Sequence, residues 1–248
     1  MTMNRLARIT AAELRLFLRE PMTVVFGIAL PPLLLVIFGS IPSFAAPDPD
    51  LGGQRFIEVY APALIATSLA MLALSSLPTI LASYREKGVL RRLATTPVRP
   101  GFLLTAQVVT HLLMALLSVV LLLAIGAIWF DLALPANALG FVLALVLAIT
   151  AVFAIGLLIA ALATSGRLAS GIGSLLFFPV AFLAGLWTPG PTMPEFLRNI
   201  ASFSPLGAGS QAIKAAWAGG WPQPLHLLVM LGFTAIAGFA AARWFRWE

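Results

Sequence analysis

Few side chains in this sequence have the type and spacing to do chemistry. It has two histidines, His111 and His226, and no cysteine, which removes thiolate nucleophiles, sulfur-ligated metals and disulfides. Neither histidine has carboxylates spaced near it to complete a metal site, so none is expected. Gln107, Thr110 and His111 fall at i, i+3 and i+4 and form one polar cluster on a helix. Ser68, Ser75 and Thr79 also repeat at helical spacing, on a face shared with Ile65 and Leu72. Such groups in apolar helices bond neighbouring helices for about 1 kcal/mol or less, and that structural role outweighs substrate contact for both sets. His226 reads as an interfacial residue at a helix start. The two lysines, Lys87 and Lys214, do not follow a Gly-rich loop of the G-x-x-x-x-G-K-[ST] type, so the chain has no such means of holding ATP. No Ser–His or carboxylate pair marks a hydrolase. An embedded enzyme using either histidine is the rival that His→Ala variants would reveal.

The elements that must carry these groups follow from charge. Of 248 residues, 15 are Lys or Arg and 9 are Asp or Glu, while 60% are hydrophobic. A soluble domain of this size is usually about 25% charged. Six stretches contain no Asp, Glu, Lys or Arg: 21–47, 59–84, 100–130, 132–166, 168–194 and 215–242. Each is longer than the ~20 residues that cross a bilayer. The expected spans are 22–41, 58–82, 102–130, 138–163, 169–187 and 225–242, in an all-α membrane protein formed as one transmembrane domain over 1–248.

The cations then set the orientation. Twelve fall on one side: Arg5, Arg8, Arg15 and Arg19 before span 1, Arg85, Lys87, Arg91, Arg92 and Arg99 after span 2, Arg167 after span 4, and Arg243 and Arg246 at the end. Arg55, Arg198 and Lys214 fall on the other. Lys and Arg collect in cytoplasmic loops, so both termini are expected in the cytoplasm. The net charge of +6 is thus a topology signal, and no nucleic acid partner is implied. A cleaved signal peptide ending near 43–45 is disfavoured by its long charged start and long apolar run.

Residues 3–20 alternate Leu6, Ile9, Leu14, Phe17 and Leu18 with arginines, the pattern of an amphipathic helix lying on the membrane surface; the interfacial segment is taken as 1–20. Pro31–Pro32 in span 1 should kink or locally unwind the helix. The external stretch 188–224 carries six prolines, and its interior 199–213 is uncharged but too short to span. It suits re-entrant helices, with Pro194–Glu195 and Pro205 as helix starts. Small residues at Gly166, Ser170 and Ser174, and at Thr234, Gly238 and Ala242, read as packing sites. No ionisable group lies in any span core. Ion-coupled carriers usually keep one there, and channels often use a charged ring. An ion-coupled secondary carrier acting alone is the second rival.

The cytoplasmic loop 83–101 reads SYREKGVLRRLATTPVRPG. Val89 to Ala94 is a short helix former between Gly88 and Pro97, with Arg91 and Arg92 toward water and Val89, Leu90 and Leu93 toward a surface. Together with FLREPMTVVFGIALPPLLLVIFG at 17–39, and FFPVAFLAGLWTP at 177–189 followed by MPEFLRNIASFSPLGAGSQAIKA at 193–215, REKGVLRRLATTPVRP at 85–100 resembles the membrane subunit of type-2 ABC exporters over nearly the whole chain. Lys214 departs from that pattern, where Arg is commoner. The resemblance implies a permease dimer, of identical or related subunits, in the cytoplasmic membrane of a bacterium. Two separate ATP-binding subunits would power it. ATP and Mg would be held there and no cofactor by this chain, which is not itself an enzyme. It also implies that Arg85, Glu86, Gly88, Leu90, Arg91, Arg92, Leu93 and Pro97 form the ATPase-coupling loop. Spans 1, 2 and 5 would line the pathway, with Ser68, Ser75, Thr79, Phe178, Phe182 and Trp187 as lining candidates. The lack of charge along that route favours a hydrophobic drug or lipid.

Overall fold

A computed structural model of the chain describes residues 2–94, 101–188 and 193–245. Six helices among these are long and apolar enough to cross a membrane: Pro21–Gly39, Phe56–Glu86, Gly101–Phe130, Ala138–Leu162, Gly166–Leu183 and Pro224–Trp244, here spans 1 to 6. The chain is a multi-pass membrane protein, and most span boundaries fall within a few residues of the charge-free runs. Span 5 differs, running from Gly166 to Leu183 instead of 169–187. The Ser165 hydroxyl accepts the Leu168 N–H at 3.2 Å and starts the helix early, and Gly185, at φ +93, ends it. The described residues are mostly helical, and the all-α expectation is amended by a two-stranded antiparallel hairpin, Pro47–Asp48 with Gln54–Arg55.

Span 2 is the most buried of the six and forms the axis of the bundle. An arginine at each end caps a neighbouring helix. Arg55 donates to the carbonyls of Phe130 and Asp131 at 2.8 and 3.0 Å, closing span 3. Arg85 donates to those of Ala161 and Ala163, closing span 4. Both satisfy carbonyls that a helix end leaves without partners, and both place a cation at a negative dipole end.

Prolines shape the interior. In span 1 the helix passes through a π-helical segment, Val25–Ala29, before Pro31 and Pro32. Pro32 has no N–H to give the Ile28 carbonyl, and the Ser118 hydroxyl of span 3 supplies one at 3.1 Å. Span 2 passes through a second π-segment, Met71–Ser76, before Pro78. Widening the turn pushes carbonyls outward. The Ala73 carbonyl faces Gly156 of span 4 and the Leu74 carbonyl faces Gly173 of span 5, where an added Cβ would lie 1.9 and 2.1 Å from those oxygens.

This corrects two readings of spacing. The buried seam of span 5 is Gly166, Ala169 and Gly173, whereas Ser170 and Ser174 are exposed: the helix meets span 2 one position earlier than the small-residue series suggested. The π-segment also inserts one residue into span 2 and turns everything beyond it by about 100°. Ser68 is therefore buried on one side of the break, its hydroxyl bonded to the Ile65 carbonyl at 2.7 Å, and Ser75 and Thr79 emerge elsewhere.

At the end of the bundle opposite the loop 83–101, helices Glu195–Ser202 and Pro205–Trp217 begin at the expected prolines. The Ser204 hydroxyl caps the second through the Gly207 N–H at 3.0 Å. Thirteen residues cannot span a bilayer; this helix instead packs on spans 2, 4 and 6, with Leu206, Ala208 and Ile213 fully buried.

Candidate functional site

The basic end of the bundle gathers the segment that reads as the coupling loop. Span 2 stops at Glu86, and Gly88 takes the left-handed conformation, φ +65. The helix Val89–Ala94 follows. Arg91 and Arg92 are exposed, Val89 and Leu93 are half-buried, and Arg92 donates to the Lys87 carbonyl at 3.0 Å. The side chain of Leu90 and the whole of Pro97 lie outside the described residues.

The Arg–Glu pair ahead of this helix turns inward. Glu86 accepts the Gly166 N–H, the first amide of span 5, at 2.9 Å. Arg85, one residue earlier, holds the last carbonyls of span 4. The turn between spans 4 and 5 is therefore gripped on both sides, cation to C-terminus and anion to N-terminus. Each contact of this kind contributes roughly 0.3–1 kcal/mol, so the pair is worth more as a mechanical link than as stability.

A second link joins the N-terminal helix, Thr2–Leu18, to the same end. Its Arg8 and Arg15, and Arg19 just beyond its end, are exposed, and it packs on span 3. Glu13, 7% exposed, accepts from the Tyr84 hydroxyl at 2.8 Å and from Gln107 Nε2 at 2.5 Å. His111 continues the chain, bonded to the Gln107 carbonyl and to the Ser76 hydroxyl, each at 2.9 Å, with Phe17 edge-on at 5.3 Å. The Gln107–His111 cluster thus bonds between helices, as its spacing suggested, while Thr110 Oγ1 is buried without a partner. Glu13 was missed by the sequence reading. The available signal was that this acid sits on the helix's apolar stripe, between Ile9 and Phe17.

Burial pushes the Glu13 carboxyl above its ordinary value, and the bonds from Tyr84 and Gln107 oppose that shift. A raised carboxyl favours the folded state when protonated, so its contribution is complete at low pH and declines as pH rises from the ordinary value through the raised one. Glu13→Ala leaves the buried Gln107 donor unpaired, at a cost of about 1–3 kcal/mol, and the half-buried Tyr84 hydroxyl at less. Glu13→Gln keeps the acceptor and should flatten that decline above the ordinary carboxyl range. Thermal unfolding in detergent from that range upward checks both; equal curves for wild type and Glu13→Gln would remove the carboxyl's role.

The lining candidates separate. Ser75 and Thr79 open, with Met22, Phe26, Met71 and Ser170, into a groove of about 440 Å³ between spans 1, 2 and 5. Phe178 and Trp187 stack at 6.0 Å and 24° and are exposed, and Phe182 is half-buried beside them in sequence. Ser68 does not reach the groove. Among the described residues no cluster of His, Asp and Glu has the makings of a metal site.

Comparison with known proteins agrees over most of the chain. The sequence pattern of the ABC-2 type transporter family matches residues 5–216. A Bacillus subtilis (strain 168) protein named as a transport permease, YvfS, is 25% identical over 239 residues, which cover 94% of each chain. An Escherichia coli (strain K12) protein named as a multidrug ABC transporter permease, YbhR, is 26% identical over 209 residues. That match takes in 79% of this chain and 54% of YbhR, so the chain spans about half of that relative.

Proposed function

Because the chain belongs to the ABC-2 type transporter family, we propose that it is the membrane-spanning permease subunit of an ATP-driven exporter in the bacterial cytoplasmic membrane. Two ATP-binding subunits dock on its basic end, which faces the cytoplasm with both termini, and the N-terminal helix lies at the membrane surface. A second permease seats against spans 1 and 5. The observation that carries this reading is the loop helix Val89–Ala94. It presents Arg91 and Arg92 outward and is preceded by two residues that hold the turn between spans 4 and 5.

The mechanism follows from those links. Closure of the ATP-binding subunits on nucleotide displaces the loop helix. Arg85 and Glu86 pass the movement to spans 4 and 5, whose glycines lock them to span 2, so the three move together. The groove between them and span 1 changes its access as a result. Its surface is largely apolar, with the hydroxyls of Thr23, Ser75, Ser76, Thr79 and Ser170 and the Glu20 carboxylate also lining it, which suits an amphipathic drug or lipid, and the name of YbhR points the same way. The helices Glu195–Ser202 and Pro205–Trp217 re-enter the membrane from outside and cap the route.

Co-expression with a candidate ATP-binding-cassette subunit from the same organism is the test. The expected result is a complex of two permeases and two ATP-binding subunits whose ATP hydrolysis rises with an amphipathic drug in lipid vesicles. Transport by this chain alone, driven by a proton or sodium gradient and indifferent to an inactivated ATPase, would replace the reading with a secondary carrier.

A further inference from the structure

At the end opposite the coupling loop, a cavity of about 500 Å³ opens between the start of span 2, the end of span 5, the two short helices and the start of span 6. Its ionisable lining is Arg198, Lys214 and His226, and no Asp or Glu lines it. Among the described residues the ion pair found is Arg55–Glu58; neither Arg198 nor Lys214 has a side-chain partner there. Lys214 is half-buried, and burial pushes its amine below its ordinary value. His226 is 3% exposed, and its Nδ1 is buried without a partner.

The remaining polar lining is neutral. Ser210 spends its hydroxyl proton on the Ala184 carbonyl at 2.8 Å. The Ser202 hydroxyl stands 3.1 Å from both the Gln211 carbonyl oxygen and the Arg198 carbonyl, and the Gln211 and Gln223 amides offer N–H donors to the cavity. Guanidinium, ammonium and amide together offer donors with no acidic acceptor, in a chamber whose other walls are Val59, Pro62, Leu183 and Met193. Lys214 is half-buried and Arg198 exposed, and an acceptor-rich anion pairs with both through short charge-assisted bonds. The apolar walls suit an alkyl segment attached to the anion. Lys214 also stands in the last turn of its helix, where a cation is favourable, but that leaves Arg198 and His226 without a purpose.

We infer that this cavity binds the anionic head group, phosphate or carboxylate, of a single-chain or partly inserted amphiphile. No nucleotide or ATPase is needed for that binding, so it stands or falls separately from the export reading. The test uses the full chain in phosphatidylcholine nanodiscs with three probes: decyl phosphate, decyl phosphocholine and inorganic phosphate. Decyl phosphate should raise the unfolding temperature saturably. Arg198→Gln should weaken its Kd about tenfold, the scale of one charge-assisted bond, and Lys214→Gln should do the same. Arg198 is exposed, so its variant folds and keeps the test decisive if Lys214→Gln does not. Equal effects of decyl phosphate and decyl phosphocholine, or an unchanged Kd in Arg198→Gln, would overturn the assignment. A shift from inorganic phosphate as large as that from decyl phosphate would make it a free-anion site and overturn the amphiphile reading.

Discussion

Gly156→Ala and Gly173→Ala should each prevent the bundle from assembling in its native form. A Cβ at these positions would sit 1.9 Å from the Ala73 oxygen and 2.1 Å from the Leu74 oxygen. The obstacle is backbone, which cannot swing aside as a flexible side-chain tip can. Overpacking a close-packed interior costs about 1–3 kcal/mol and occasionally more, and here two helices must separate from the central one. A loss of about 3 kcal/mol or more in each variant is therefore expected, seen as a collapse in detergent-stable yield or unfolding temperature. Gly171→Ala and Gly238→Ala are the controls. Nothing lies within 4 Å of a Cβ at either place, and alanine improves helix propensity by up to about 1 kcal/mol. If the buried and open glycines respond alike, the close approach of span 2 to spans 4 and 5 is wrong.

Glu86→Ala should leave the protein inserted and bound to its ATP-binding partner, with hydrolysis intact, while ATP-dependent transport falls about tenfold or more, a loss of about 1.4 kcal/mol in coupling. The Glu86 carboxylate holds the first amide of span 5, and Arg85 holds the carbonyls ending span 4. With one jaw removed, the loop helix can move without carrying the turn. Arg85→Ala should behave similarly, and the double variant should be little worse than either, because the two act on one turn. Glu86→Gln, which keeps an acceptor, should retain most of the transport. Gly88→Pro should uncouple as well, since proline cannot adopt φ +65. Loss of ATPase binding in Glu86→Ala, instead of loss of coupling, would assign this carboxylate to the docking surface and not to the internal link.

Much of this architecture was legible in the sequence because its causes are local. A charge inside a bilayer is costly wherever it falls in the chain, so 21–47 through 215–242 announced six spans. Pro194 and Pro205 cannot sit inside a helix at ordinary cost, and each stands at a helix start in the structure. The loop helix Val89–Ala94 was legible for the same reason, between Gly88 and Pro97. The small-residue series on span 5 was nearly right but one position out of register: Ser170 and Ser174 are small, yet smallness says nothing about which face meets a neighbour.

What the sequence by itself determined, then, is the number of spans, which loops carry the cations, and where the short helices begin. Each follows from the solvation or backbone geometry of a few adjacent residues. Only the tertiary structure decided which groups meet. Glu13 finds Gln107, Arg85 finds Ala161 and Ala163, Glu86 finds Gly166, and the Ala73 and Leu74 carbonyls find Gly156 and Gly173. Those partners stand far apart along the chain. Two π-segments, which no helical repeat of 3.6 anticipates, set the rotation that brings the span interiors together. The cavity of Arg198, Lys214 and His226 was the least visible of all. In sequence Arg198 and Lys214 are two of the three cations in the minority of a positive-inside pattern and His226 reads as interfacial, and it takes the fold to bring them together in one chamber whose lining holds no acid.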